Sequence, residues 1–368
     1  MPPEQPTVVA IPVCNEQFHL KACIDSLLAQ TIRADSIVLL LNNCTDGSRN
    51  ICRDALQLCT TLKIIECNLY HDQASAGEAR RRALDYAQIF AADGVVLTTD
   101  ADSTVPMTWI ADNLAAIGKG ADCVCGMAVV APLGWGENQR RVEFEQKCET
   151  RLLSLHDEIA AIVDPDASDP WPRHQHNSGA SLAMRAAMLR RAGGAPRIAS
   201  GEDRALVAKL ALYDAKIRHA PGIQVQVSGR LQGRATGGMA DTISRRLRRQ
   251  DRLTDEMLEP TVDAYRRVLT RLRLRDLRNG ATTPGTVARL STDLLIPPDL
   301  LVSALPETHF GTAWQTIQRA SPMLRRRRIA FLDLARETRQ ALALRDHLRA
   351  TLEPHQHKSV WEDFRHAL

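Results

Sequence analysis

Two carboxylates, Asp100 and Asp102, stand one residue apart at the end of an apolar run that begins at Val95. Such a run predicts a buried strand, and the alternation of strand side chains predicts that both carboxylates leave one face at its carboxyl end. Two like charges placed there repel each other unless a cation or hydrogen-bond donors compensate them. Hard divalent ions prefer carboxylate oxygens and leave positions open for substrate phosphates, so the pattern predicts a metal–diphosphate site. The alternative is a polar strand-to-helix turn in which Asp102 or Ser103 caps the next helix at Pro106.

The elements that would position these carboxylates are four strand–helix units near the start of the chain. Apolar strands are predicted at 7–12, 36–41, 62–66 and 95–100, each followed by apolar residues at helical spacing. This alternation predicts a mostly parallel sheet flanked by helices, whose ligands bind at the carboxyl ends of the strands. The polar residues that fall at those ends, beside Asp100 and Asp102, are Asn15, Glu16, Asn43 and Asp46.

Later segments carry further candidate groups. A Pro-rich turn at 164–176 is typical of a surface loop that binds ligands, and it contains Trp171 and His176. Glu202 and Asp203 lie at the start of a predicted helix, where acids are also common because of the helix dipole.

A loop at 228–238 follows an alternating strand at 223–227. Its glycines let backbone amides approach an anion, and the guanidiniums of Arg230 and Arg234 are suited to contacting one.

Composition limits the function classes. The chain has 368 residues, 44% of them hydrophobic and 24% charged, so it can build a large core. A net charge of +4 is too small to indicate nucleic acid. Nine cysteines without a paired spacing predict reduced thiols. Neither a signal peptide nor an apolar membrane span is recognisable, so the sequence predicts a cytoplasmic protein.

The last third of the chain is rich in arginine and is predicted to be helical. We expect a first domain at 1–238 and an Arg-rich helical region at 239–368, with one helix beginning at Arg325. Such arginine clusters form either a solvated helix face or a patch for anionic lipid or a partner, which would make the protein membrane-peripheral.

Taken together, these segments resemble those of the family-2 glycosyltransferases, which are inverting enzymes of GT-A fold. The resemblance rests on ordered segments over residues 7–230: the opening strand with its Asn-Glu turn at 11–16, the second strand end at 41–48, the Asp-x-Asp segment at 100–102, a glycine segment at 179–185, and Glu202-Asp203. It implies a GT-A-like α/β fold and transfer of a sugar from a nucleotide-diphosphate sugar to a small or lipid-linked acceptor.

The resemblance also implies roles for individual residues. Asp203 would be the catalytic base, with Glu202 as an orienting neighbour. Asp102 would hold Mg²⁺ or Mn²⁺, with Asp100 as a second metal or ribose contact. The donor contacts implied are Pro12, Asn15, Glu16, Asn43, Asp46, Asp100, Arg230 and Arg234. Weaker acceptor candidates are Trp171, His176 and Gly179.

The sequence departs from the family pattern in two places. Asn42 and Asn43 stand where many members have an acid that reads the nucleotide base. Ser228, Gly229 and Arg230 follow the strand after which many members have a histidine. Two other functions share this sheet: a nucleotidyltransferase that makes nucleotide sugars, and a non-catalytic scaffold. The first would need a Gly-rich basic loop after the first strand, where Asn15 and Glu16 stand instead.

Overall fold

The computed structural model describes residues 5–70, 74–131, 138–233, 238–248 and 252–351. The chain divides into two compact units. The sheet unit comprises Met1–Gly136 and His176–Arg248, and the helical unit comprises Glu137–Gln175 and Arg249–Leu368.

Eight strands form one sheet in the described part of the sheet unit. They are β1 (Thr7–Val13), β2 (Ser36–Asn42), β3 (Leu62–Cys67), β4 (Val95–Thr98), β5 (Ser103–Thr104), β6 (Cys123–Ala131), β7 (Leu182–Arg185) and β8 (Ile217–Ser228). Their order is β3-β2-β1-β4-β7-β6-β8-β5. The four strands predicted first, β1 to β4, are parallel neighbours, and β6 is parallel to β8. Antiparallel pairs occur at β4–β7, β6–β7 and β5–β8, so the predicted, mostly parallel sheet is confirmed.

Helices cover both faces of this sheet. They are α1 (Leu20–Leu28), α2 (Ser48–Leu58), α3 (Ala76–Ala91), α4 (Trp109–Gly118), α6 (Ala186–Arg191), α7 (Glu202–Leu212) and α8 (Met239–Leu247). One face packs α1 and α4 around Val9, Leu39 and Leu97. The other face packs α3, α6 and α7 around Val8, Val38 and Val96. Because neighbours along a strand point to opposite faces, the continuous apolar runs fill two cores at once.

The helical unit is built from α5 (Gln139–Val163), α9 (Thr261–Asp276), α10 (Pro284–Leu294), α11 (Pro298–Ala304), α12 (Phe310–Ala320) and α13 (Leu334–Thr351). A π-helical turn at Leu277–Ala281 follows α9. No helix among the described residues is both long and apolar enough to span a membrane.

The compact units differ from the predicted division at residue 238. Helix α5 and the turn after it lie with the C-terminal helices, because Leu152, Leu155 and Ile159 pack in one apolar cluster with Tyr265 and Leu344. Helix α8, which was expected in the second region, belongs to the sheet unit.

The predicted helix start at Arg325 is wrong. Residues 325–329 form neither helix nor strand, and α13 begins at Leu334. Side chains of this segment are bonded within the helical unit: Arg326 and Arg328 donate to backbone carbonyls of Met257 and Thr254, and Arg327 pairs with Asp263. In a helix Arg325 and Arg328 would also be like charges three residues apart, which face each other and repel.

Candidate active site

Asp100 and Asp102 lie in a turn and not on a strand. Strand β4 ends at Thr98, and the backbone N–H of Ser103 donates to the carbonyl of Asp100 at 3.1 Å. The expectation that strand alternation aims both side chains from one face is therefore wrong. The two carboxylates still act on each other, because burial and the charge of Asp100 raise the pKa of Asp102 to about 7.

A buried arginine that the sequence analysis did not single out occupies the centre of the site. Arg80 lies on α3, 5% exposed, and its guanidinium donates to Glu202 Oε1 at 2.9 Å, Thr98 Oγ1 at 2.7 Å and the Gly179 carbonyl at 3.1 Å. It also pairs with Asp100. Burial alone would lower the pKa of Arg80, but the two carboxylates outweigh it and raise it.

The start of α3 explains how Arg80 reaches Glu202. A Cβ on Gly77 would lie 1.9 Å from the carbonyl oxygen of Ile198, so the helix start touches the backbone that leads into α7. The Gly77 N–H donates to the Ala199 carbonyl at 3.2 Å. Only glycine allows this approach, which brings the first turn of α7 beside Arg80.

The backbone of Gly179 connects Arg80 to the predicted base. Its carbonyl accepts from Arg80, and its N–H donates to Asp203 Oδ2 at 3.0 Å. The second oxygen of Asp203 accepts the N–H of Arg204 at 2.7 Å. Asp203 is half-buried, so its carboxylate is held in place by backbone donors and is still reachable from solvent.

A second arginine binds the other carboxylates. Arg230, just beyond β8, donates to both oxygens of Glu16 at 2.6 and 2.7 Å and lies 3.1 Å from Asp102 Oδ2. Glu16 is 6% exposed, and its backbone N–H donates to Ser48 Oγ at 2.8 Å. The geometry therefore joins the turns after β1, β4 and β8 through one guanidinium.

Other predicted donor residues brace loops at the same strand ends. Asn15 Oδ1 accepts from the N–H groups of Thr45 and Asp46 at 2.7 and 3.3 Å. The amide of Asn43 bonds both backbone groups of Leu69 at 3.0 Å.

Asp46 caps the start of α2. Its carboxylate accepts from the N–H groups of Gln17 and Ser48, each at 3.0 Å. Burial opposes these hydrogen bonds, but they prevail and lower the pKa of Asp46. Pro12 is half-buried near the end of β1. Arg234 lies outside the described residues.

The acceptor candidates are divided between the units. Gly179 lies inside the site described above. His176 is half-buried in the sheet unit, close in sequence to Asn177, whose Oδ1 is 3.0 Å from His219 Nε2. Trp171 belongs to the helical unit and is 39% exposed.

Arg80 left one signal in the sequence. It falls on the buried stripe of α3 with Ala79, Ala83 and Ala87. An arginine among core positions needs carboxylate partners, because burying an unpaired charge is costly.

The chain is similar to known proteins in part of its length. Residues 8–180 match the family model described as glycosyl transferase family 2. The crystal structure of S. aureus TarS 1–349 with UDP-GlcNAc is 15% identical, with a TM-score of 0.45, covering 86% of this chain and 92% of that one. Glucosyl-3-phosphoglycerate synthase from Mycobacterium tuberculosis, crystallised with Mn²⁺, UDP and phosphoglyceric acid, is 16% identical, with a TM-score of 0.39, covering 71% and 77%. No curated sequence matches significantly. Likeness this low to the two structures transfers neither a donor nor an acceptor.

Proposed function

We propose, from the premise that this chain is a family 2 glycosyltransferase by its match over residues 8–180, that it moves a sugar from a nucleotide-diphosphate sugar to an acceptor hydroxyl with inversion. One observation supports this most. Hydrogen bonds join Asp203 through the Gly179 backbone and the Arg80 guanidinium to Asp100, and Asp102, two residues further along the same turn, pairs with Arg230. A group that stabilises a leaving diphosphate and a group that takes a proton are thus held by one framework.

Arg230 is proposed to face the leaving diphosphate. Its charge stabilises the anion that develops as the bond between the anomeric carbon and the diphosphate oxygen breaks. The bidentate contact with Glu16 fixes the guanidinium plane, so that little rotamer freedom is lost when the donor binds.

A divalent cation fits Asp102. This carboxylate is 16% exposed, and its raised pKa shows that Arg230 alone does not offset burial and the repulsion by Asp100. The described residues contain no group of three or more His, Cys, Asp or Glu side chains arranged to hold a metal. Mg²⁺ is commonly bound through one or two carboxylates plus substrate phosphates, so Asp102 would hold Mg²⁺ or Mn²⁺ together with the donor. When bound, such an ion supplies positive charge to the departing diphosphate.

Asp203 is proposed to act as the base. The acceptor hydroxyl gives its proton to a carboxylate oxygen of Asp203 while its oxygen bonds to the anomeric carbon. The electron pair of the broken bond leaves with the nucleoside diphosphate. One attack from the side opposite the leaving group inverts the configuration. Glu202 has its carboxylate on Arg80 and so orients the framework.

On the acceptor side, the proposal depends on Gly179, whose N–H donates to Asp203 and holds it in place. Trp171 and His176 remain predictions for the acceptor. The proposal gives membrane contact no role, since Arg326, Arg327 and Arg328 are bonded within the helical unit.

The experiment is a donor panel of UDP- and GDP-sugars with Mg²⁺ or Mn²⁺, in which release of nucleoside diphosphate is measured. We expect release from at least one donor, and its loss in Asp102→Asn. Asp54→Asn, an exposed aspartate on α2, is the matched control and should keep full activity. Pyrophosphate-dependent exchange into a nucleotide sugar would instead indicate nucleotidyl transfer, and a folded protein that binds no donor would indicate a scaffold.

A further inference from the structure

Three arginines of the helical unit lie close to one phenyl ring. The guanidinium carbons of Arg271, Arg275 and Arg278 lie 5.7, 5.0 and 6.0 Å from the ring centroid of Phe310. Arg271 is also 6.0 Å from the ring of Trp314. The spacing of four and three residues along α9 and the π-helical turn places the three side chains on one side of the helix.

The positive charge of this arginine cluster (Arg271, Arg275, Arg278) exceeds the negative charge that it contacts. Asp164, at the end of α5, pairs with Arg275 and lies 3.9 Å from Arg271 Nε. Burial, together with the charges of Arg275 and Arg173, lowers the pKa of Arg271 and outweighs Asp164 and Asp166, which raise it. Adjacent guanidiniums that repel each other without full compensation are a cost in the absence of a further anion.

Two nitrogens of the cluster make no hydrogen bond within the described part of the chain, although Arg271 Nε lies 3.9 Å from Asp164. Arg271 Nε and Arg278 Nη1 are shielded from water, and neither has a hydrogen-bond partner among the described residues. Native structures seldom leave such buried donors without a hydrogen bond, because each then costs the desolvation of a charged group. The Arg271 side chain is nevertheless 41% exposed, so a ligand can reach this edge of the cluster.

We propose that the arginine cluster binds the phosphate group of a ligand distinct from the nucleotide-sugar donor. Three guanidiniums within 6.0 Å of one ring centroid offer forked donors to a tetrahedral dianion. Phe310 keeps the three groups close together, since cations are attracted to the face of an aromatic ring. Asp164 pairs closely with Arg275, so the Arg271 and Arg278 donors that make no hydrogen bond to the residues described are available to the phosphate.

The test is calorimetric titration of the full chain with inorganic phosphate, without divalent cation and at constant ionic strength. We expect binding, and a weakening of about tenfold in Arg271→Gln and in Arg278→Gln, as for the loss of a charged hydrogen bond. Two controls are matched in charge. Arg319→Gln alters an exposed arginine at the end of α12 and should titrate like the wild type. Arg230→Gln removes the phosphate contact proposed at the donor site and should leave unchanged the binding component that Arg271→Gln and Arg278→Gln weaken.

A second arm identifies the source of the phosphate. Binding to phosphatidylcholine vesicles that contain phosphatidic acid, lost in the same two variants, would identify a lipid headgroup. Binding of inorganic phosphate without vesicle binding would identify a small ligand.

The proposal is overturned if wild-type protein gives no heat with millimolar phosphate. It is also overturned if the doubly substituted protein titrates unchanged. A purely structural cluster gives a third distinguishable result: both variants unfold at lower temperature, and phosphate does not raise the melting temperature of the wild type.

Discussion

A Cβ placed on Gly179 would lie 2.5 Å from the Cζ of Arg80. The Arg80 guanidinium fills the space that any side chain at residue 179 would need. The N–H of the same glycine donates to Asp203, so the packing of Arg80 and the position of the proposed base both depend on Gly179.

Gly179→Ala should therefore displace Arg80 and destabilise the protein by about 1–3 kcal/mol, as overpacking does. Transfer should fall more than donor affinity, because Asp203 moves while Asp102 does not. Thermal unfolding and steady-state kinetics measure the two effects. Gly118→Ala, at the end of α4 where an added Cβ meets nothing within 4 Å, is the control and should be neutral. Wild-type stability and turnover in Gly179→Ala would show that Arg80 is not confined as described.

Removing the Arg80 charge should leave two carboxylates without their partner. Glu202 is 7% exposed, so Arg80→Met should cost about 3–5 kcal/mol, the loss expected when one member of a buried ion pair is removed. Chemical denaturation measures this change. The double variant Arg80→Met with Glu202→Gln should lose less than the sum of the single losses, because the unpaired charge is gone. Additive losses would contradict the ion pair.

Glu16 and Arg230 should be coupled in donor binding. Arg230→Gln should weaken binding of the nucleoside diphosphate about tenfold by removing a charged contact. Glu16→Gln should weaken it less, since Arg230 remains but is held less firmly. A double-mutant cycle from calorimetric Kd values should show a coupling energy, with Arg33→Gln on the exposed surface as the neutral control. If Glu16→Gln weakens binding as much as Arg230→Gln does, and the two losses add, Glu16 contacts the donor itself.

The helical unit should lose stability in mild acid through His156. Burial lowers the pKa of His156 to about 4 from 6.5, although Glu259 and Glu337 oppose this and Arg326 adds to it. Its ring lies 3.2 Å from Thr261 Oγ1. The unfolded chain therefore binds the proton first, and the stability contributed above pH 6.5 is lost as the pH falls toward 4, by up to about 3 kcal/mol.

Denaturation of wild type and His156→Gln between pH 7.5 and pH 4.5 measures this loss. The difference between the two proteins should shrink as the pH falls, because the carboxylates that titrate in the same range are common to both. A difference that stays constant would show that His156 is not held neutral.

Strand ends were the part of the site that sequence could predict. Apolar runs identify β1, β2 and β4 because nearly every side chain of these parallel strands is buried. The edge strand β3 is only partly buried but keeps an apolar pattern at Leu62, Ile64 and Ile65. Since parallel strands share their carboxyl edge, Glu16 and Asp102 were expected near one another, and Arg230 was expected as an anion contact from its loop; in the structure Arg230 contacts both carboxylates.

The connections among these groups could not be predicted. The contact between Gly77 and Ile198 depends on the packing of two distant segments, which has no period in the sequence. Asn43 and Asp46 have the residue types of ligand contacts but also those of loop braces, and only their bonds to Leu69 and Ser48 show which hydrogen bonds they make. The packing of α5 against the C-terminal helices could not be predicted either, because an apolar stripe does not specify what covers it.

The most direct test of the account separates donor binding from transfer in Asp203→Asn. The amide oxygen can still accept the Gly179 N–H, although the amide nitrogen cannot accept the Arg204 N–H. The fold and the donor site should therefore be kept while the base is lost. We predict an unchanged donor Kd by calorimetry together with a transfer rate reduced about 100-fold or more. Transfer at the wild-type rate in Asp203→Asn, with the donor bound normally, would contradict the assignment of Asp203 as the base.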